Sequence, residues 1–320
     1  MPDTSINNQT FRMSLLTYTI RKVFRPKIMI FDLDDTLFRW PRKLKLKGGG
    51  KLNFHRYVAN IFAKVICEYL RDYADSKMNL KEGDEDFARF YITKDEASEF
   101  CEEGYRLYGS SMIALIEEYP ELDDDDLASI FLSTHQRMAT HERKGVNAWV
   151  KPNFMLIESI RNLKTAPFIL THGSTPYAKI VLKALGLSGI IPDENIFGMD
   201  LYGYHNTKNT YAPYVWIQQK ISKSVGKQVP FNRLIMSEDS HKNLVTAHNL
   251  GIKTVLLQRP NDLGEPLPDY PYVDHTHQTQ EDYLWMFLDK GINYTENKQD
   301  RHFLESYSEN TISGASFGYF

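Results

Sequence analysis

Two patterns of apolar and polar positions alternate along this chain. Short apolar runs bounded by charge or turn residues predict buried strands: KIMIFD (27–32), APFILT ending at Thr171, NRLIMSED ending near Asp239, and KTVLL (253–257). NIFG (195–198) and YV (272–273) predict two weaker strands. Between them, apolar residues recur at helical spacing. TPYAKIVLKALG places Thr175 as N-cap, Pro176 in the first turn and Gly186 past the end. HKNLVTAHNLG repeats that ending at Gly251. Strands alternating with helices predict an α/β fold: a Rossmann-like parallel sheet covered on both faces, with ligands at the carboxyl ends of its strands.

More than a hundred residues of different character separate the first strand from the second. Val58, Phe62, Val65 and Tyr69 form one helical stripe between Leu52 and Tyr73, widened by Ile61, Ile66 and Tyr73. KDEASEFCEEGYRLYGSSMIALIEEY predicts one or two more helices. DDDDLASIFLSTHQRMATHE carries its acidic residues at the start, where the helix dipole favours them. The expected organisation is an N-terminal segment with the first core strand (1–41), an inserted helical cap (42–149), the rest of the core (151–290) and a polar tail (291–320). The chain re-enters the core at Pro152 through PNFMLIESIRNLK.

With 42% apolar and 25% charged residues, the chain can build a sizeable core. A net charge of −3 gives no global field for nucleic acid, so that partner is not expected. No apolar run approaches the ~20 residues of a membrane span. The first 22 residues lack the basic start, apolar middle and cleavage site of a secretory signal. Cys67 and Cys101 are the only cysteines and read as core thiols of a reducing, cytoplasmic setting.

The chemistry concentrates in FDLDDTLF (31–38), where three aspartates follow an apolar strand within four positions. Strand alternation would set Asp32 and Asp34 on one side. Carboxylates that close repel unless a cation or a shared proton intervenes. Mg²⁺ suits such a pair. One carboxylate can attack phosphorus and the other serve as general acid and base. The plain alternative is an acidic cap on a following helix.

An apolar strand followed by Asp-x-Asp-x-Thr resembles the opening motif of the haloacid dehalogenase superfamily, and three further segments resemble its later motifs in the correct order. The resemblance covers residues 27–41 and 151–290. It implies a haloacid dehalogenase core with Asp32 as nucleophile, Asp34 as acid/base and Thr36 supporting the loop. FILTHGST then supplies Thr171, with His172 where many members carry Asn, and Gly173 in the phosphate-binding turn. In NTKNTYAPY, Lys208 is the charge-balancing lysine, Tyr214 takes the aromatic position and Asn209 replaces the usual proline. SEDSHKN supplies Glu238 and Asp239, which with Asp32 and Asp34 would hold Mg²⁺. Ser240 would cap the next helix, and Asn243 would orient ligand or lysine.

Dehalogenases of the superfamily lack an aspartate two residues after the nucleophile, so Asp34 favours phosphorus chemistry. The implied activity is hydrolysis of a small phosphorylated metabolite. SEDSHKN together with FDLDDTLF most resembles pyrimidine 5′-nucleotidases, which implies a nucleoside 5′-monophosphate. A phosphomutase of the β-phosphoglucomutase type would keep the same residues, and a non-catalytic protein that binds phosphometabolites is the alternative from another class.

Three features lie outside these motifs. RWPRKLKLKGGGKLNFHR (39–56) is basic without an acidic residue and reads as a solvated hairpin, with a positive rim for anionic substrates as the functional alternative. His275 and His277 form His-x-His in what reads as a polar loop. The tail reads as disordered, docked on the core, or reaching a protein partner.

Overall fold

The computed structural model describes residues 27–41, 43–45, 51–140, 145–258 and 269–289. The N-terminal segment before residue 27, the GGG turn and the tail after residue 289 therefore lie outside the described residues. Six strands form one sheet: β1 (Ile28–Phe31), β4 (Phe168–Leu170), β5 (Ile196–Phe197), β6 (Leu234–Glu238), β7 (Lys253–Leu257) and β8 (His275–His277). Their spatial order is β5-β4-β1-β6-β7-β8, and every pairing is parallel.

The apolar runs become strands because both faces of the sheet are covered, so each side chain is buried whichever way it points. Ile28 and Ile30 of β1 pack into one apolar cluster with Phe168, Leu170, Leu234 and Met236. Met29 and Phe31 pack into a second with Ile169, Ile235 and Val255. The period-two split places one core on each face of the sheet.

Between β1 and β4 lies a helical insert that begins with a short antiparallel hairpin. Its strands are β2 (Lys43–Lys45) and β3 (Lys51–Asn53), with Leu44 opposite Leu52. Leu52 thus belongs to a strand, and the first long helix starts at Phe54 and runs to Tyr73. Helices Lys94–Tyr108, Ser111–Glu118 and Asp124–Thr140 follow. Thr93 and Glu96 close a capping box at the start of Lys94–Tyr108. At the start of Asp124–Thr140, Asp123 Oδ1 accepts from the amides of Asp125 and Asp126. Tyr69 of the first insert helix and Lys77 of the turn Ala74–Met78 that follows it both donate to Asp126 Oδ1 at 2.7 Å, tying them to this helix. No described helix is long and apolar enough to cross a membrane.

Three local expectations are corrected. The N-cap of helix Thr175–Ala184 is Ser174, whose hydroxyl accepts from the Tyr177 amide, because Thr175 is engaged by Asp200. The last strand is not 272–273, which sits in a turn closed by the Val273 amide on the Tyr270 carbonyl. It is His275–His277, held in register by Asp274, which accepts from Lys253 and from the Thr254 amide. His-x-His is therefore an edge strand and not a loop.

Burial against β7 and Tyr283 pushes the His275 and His277 imidazoles down to about 4 from their ordinary 6.5, and in His275 the neighbouring His277 adds to the shift. Between those values the unfolded chain binds more protons than the folded one. Acid therefore favours unfolding, and stability rises with pH across that window. A His275→Gln/His277→Gln double variant should show a flatter rise in urea midpoint between about pH 4.5 and pH 6.5 than the parent. An unchanged slope would mean that the imidazoles are not held neutral.

Candidate active site

The register of β1 and β6 builds the site. Phe31 pairs with Ser237, and the Asp32 amide donates to the Ser237 carbonyl at 2.9 Å. Asp32 and Glu238 therefore leave neighbouring strands at the same carboxyl end. Lys208 reaches them from the loop between helices Met199–Tyr202 and Ala212–Val225. Its Nζ donates to Asp32 Oδ1 and to Glu238 Oε2, each at 2.5 Å. All three side chains are buried, with Lys208 only 1% exposed. Burial alone would lower the Lys208 pKa, but the charges of Asp32 and Glu238 outweigh it and hold the ammonium well above its ordinary value.

Asp239, the next residue after β6, completes a trio. One carboxylate oxygen each of Asp32, Glu238 and Asp239 lie within 4.8 Å of one another. Burial and the charge of Glu238 push Asp32 up to about 7; burial, Glu238 and Asp32 push Asp239 up to about 10. Three carboxyl groups crowded around one ammonium in a desolvated place take up protons unless a cation stands among them. An all-oxygen donor set of this kind fits a hard divalent cation.

Asp34 is placed elsewhere. β1 ends at Phe31, so strand alternation does not extend to residues 32–38. The chain turns instead: the Leu37 amide donates to the Leu33 carbonyl at 3.0 Å, and Asp35 adopts φ 57°. The Asp34 carboxylate stays outside the trio, and its Oδ1 accepts from the Tyr177 hydroxyl at 2.6 Å and the Trp40 indole at 2.8 Å. The expectation set Asp34 with Asp32, Glu238 and Asp239 as a metal ligand; its side chain is not part of the group that those three form. Burial pushes Asp34 up to about 6, with the two hydrogen bonds pulling the other way. Thr36 is buried in the same turn, and its hydroxyl has no partner among the described residues.

The turn after β4 brings Thr171, His172 and Gly173 to the same end of the sheet. The Gly173 amide donates to Thr171 Oγ1 at 2.9 Å, so it is committed inside the turn and not offered to a ligand. The Thr171 hydroxyl keeps its own hydrogen for an anion. His172 holds the lysine loop: its Nε2 accepts from the Lys208 amide at 2.8 Å, which places its proton on Nδ1. Burial and the Lys208 charge keep this imidazole neutral, well below its ordinary pKa. Asn209 anchors the loop through its carbonyl, which accepts from Thr246 at 2.8 Å. Tyr214 is buried and donates to the Asn243 carbonyl at 2.6 Å. Asn243 thus contributes its main chain, and its side chain makes no bond to Lys208 among the described residues. Ser240 occupies the N-cap position of helix His241–Asn249 without a side-chain cap bond. Its amide donates instead to Glu238 Oε1 at 3.2 Å.

Sequence reasoning missed Tyr177, Trp40, Tyr202 and a clasp around Thr175. Tyr202 donates to the Thr171 carbonyl at 2.8 Å. Thr175 donates through its amide and hydroxyl to Asp200 and accepts from the Gly198 amide at 3.0 Å. A Cβ on Gly198 would lie 2.5 Å from the Gly173 carbonyl oxygen and closer still to the Thr175 amide. Gly198→Ala should therefore cost about 1–3 kcal/mol, read as a lower urea midpoint. An unshifted midpoint would show that this clasp is loose.

No family model matches the chain, and no curated protein matches it. Among solved structures, the chain is similar to the UTR4 protein of Saccharomyces cerevisiae at 15% identity, over 80% of this chain and 98% of that one, with a TM-score of 0.40. The L-2-haloacid dehalogenase of Xanthobacter autotrophicus aligns at 13% identity over 82% and 98%, with a TM-score of 0.42. The HAD-hydrolase YfnB of Bacillus subtilis, bound to magnesium, aligns at 16% over 83% and 99%, with a TM-score of 0.40. On its own strand order the chain has a Rossmann-like α/β fold: a parallel sheet with the acidic turn after central strand β1 and a helical insert before β4.

Proposed function

We propose that this chain is a Mg²⁺-dependent phosphomonoester hydrolase that works through an aspartyl-phosphate on Asp32. The observation that carries this reading is the separation of two carboxylates into different settings. Asp32 is paired with Lys208 beside Glu238, whereas Asp34 is held apart by Tyr177 and Trp40. Two titratable groups in contrasting environments fit a nucleophile and an acid/base. Asp32, Glu238 and Asp239 would hold Mg²⁺, which when bound supplies positive charge against the phosphoryl oxygens.

In the first step an Asp32 oxygen bonds to phosphorus, the ester P–O bond breaks, and Asp34 gives its proton to the leaving oxygen. In the second, Asp34 takes a proton from water as the water oxygen bonds to phosphorus. The P–O bond to Asp32 then breaks, which restores its carboxylate and releases inorganic phosphate. Lys208 and Thr171 face the equatorial oxygens. Positioned charge of this kind is what phosphoryl transfer requires of a protein.

The preferred substrate class is a nucleoside 5′-monophosphate. Besides the SEDSHKN pattern, the support is Tyr105 on insert helix Lys94–Tyr108. Its side chain is 58% exposed, and desolvation of the hydroxyl, together with the charges of Asp239, Glu238 and Asp32, raises it to about 12, which puts it within reach of the acidic cluster's field. A ring there can stack on a nucleobase. The test is phosphate release from nucleoside monophosphates, sugar phosphates and phosphoglycolate, with Mg²⁺ and with chelator. Metal-dependent release, fastest from nucleoside monophosphates, is expected. Release that persists in chelator, or none from any ester, would overturn the reading.

A further inference from the structure

Asp34 is gripped by two side chains to which the two-step reaction gives no part. Tyr177 and Trp40 both donate to the same oxygen, Oδ1, at 2.6 and 2.8 Å. Among the described residues no donor is placed on Oδ2. The donors come from separate elements: Tyr177 from helix Thr175–Ala184 and Trp40 from the turn after β1. Both are buried, at 2% and 5% exposure.

Packing fixes each ring. Phe38 meets Trp40 edge-on, with centroids 4.9 Å apart. His135 of insert helix Asp124–Thr140 lies 5.1 Å from the Tyr177 ring, so the insert itself braces that donor. The Tyr177 ring also lies against the main chain of Gly173, where a Cβ would sit 2.9 Å from Tyr177 Cδ1. The glycine in THGST therefore makes room for the tyrosine.

We infer that Tyr177 and Trp40 are positioning residues for Asp34, saturating Oδ1 so that Oδ2 carries the proton to the leaving group and receives it back from water. This rests on the phosphatase reading. A carboxyl oxygen that already accepts two hydrogen bonds has its lone pairs engaged, and the proton resides on the other oxygen. When the ester P–O bond breaks, the leaving oxygen takes that proton from Oδ2. The two donors then stabilise the charge left on the carboxylate. Without them the carboxyl group rotates, and the proton points along the productive line for a smaller fraction of the time.

The test compares an alkyl phosphate, whose leaving oxygen needs the proton, with p-nitrophenyl phosphate, whose leaving group departs without one. Tyr177→Phe keeps the ring and removes the hydroxyl; Trp40→Phe removes the other donor. For each variant, kcat/KM, which reports the step that expels the leaving group, should fall roughly tenfold or more on the alkyl ester and stay within about threefold on p-nitrophenyl phosphate, since general acid catalysis contributes about 10²–10⁴-fold where it operates. Equal falls on both esters, or no fall on either, in variants that melt like the parent would overturn the assignment. If the parent turns over both esters and Asp32→Asn neither, while Tyr177→Phe shows no split, only this inference fails. If the parent releases phosphate from neither ester, the phosphatase reading fails and takes this inference with it.

Discussion

Lys208→Met should remove most turnover and lower stability by roughly 3–5 kcal/mol, the usual cost of deleting one partner from a buried ion pair. Methionine fills similar space, so lost charge and not lost volume dominates. Lys208 is the one cation bonded to Asp32 and Glu238 among the described residues, and Asp239 stands within 4.8 Å of both. Without the ammonium, three buried carboxylates face one another unbalanced. The loss of turnover should reach about 10²–10³-fold, as for removal of one preorganised electrostatic donor. Added Mg²⁺ should recover part of the stability, since the proposed site would bind it in the folded state among the same oxygens. It should not recover the rate, because it does not restore the donor at the lysine position. Urea unfolding with and without chelator reads the first effect and phosphate release the second. A metal-free variant as stable as its parent would mean that Lys208 does not bridge the two carboxylates.

The parts of this fold legible in the sequence are those in which a local pattern decides the outcome. KIMI, FIL, LIM and TVLL are buried on both faces of the sheet, so they appear as continuous apolar runs. The acidic turns after β1 and β6 likewise mark themselves, because carboxylates at the end of a buried strand are costly to desolvate without a cation or a donor beside them. What escaped depends on partners far away in the chain. HTH carries no apolar pattern and becomes a strand because Asp274 is tied to Lys253 and Thr254. Thr175 suits the N-cap on local pattern, but Asp200, 25 residues on, engages it, and Ser174 takes the cap. Tyr177 reaches Asp34 across 143 positions, and His172 meets the Lys208 amide across 36. His172 and Asn209, where the chain departs from the motifs it resembles, both serve to anchor the lysine loop, a role that no spacing rule carries.

Asp32→Asn should abolish phosphate release while making the metal-free protein more stable. The rate loss follows from the nucleophilic role proposed for Asp32 and should exceed about 10⁴-fold, comparable with the loss of a covalent nucleophile in other hydrolases. The stability gain follows from the same crowding that the lysine only partly offsets. Asp32 is 5% exposed and lies within 4.8 Å of two further carboxylates. Asparagine still accepts the hydrogen bond from Lys208 through its side-chain carbonyl but adds no negative charge. Replacing one charge in such a cluster by a neutral isostere should raise stability by on the order of 1–3 kcal/mol in chelator. Saturating Mg²⁺ should reverse the comparison. The parent would gain about 2.7 kcal/mol at a metal concentration roughly a hundred times Kd, whereas the variant, with one fewer charged oxygen, would gain less. Melting curves of the two proteins in chelator and in Mg²⁺ therefore test nucleophile and metal ligand in one experiment. An asparagine variant that is less stable in chelator would place the excess negative charge elsewhere. A variant that gains as much from Mg²⁺ as its parent would remove Asp32 from the metal site and leave its role as nucleophile to be judged on turnover alone.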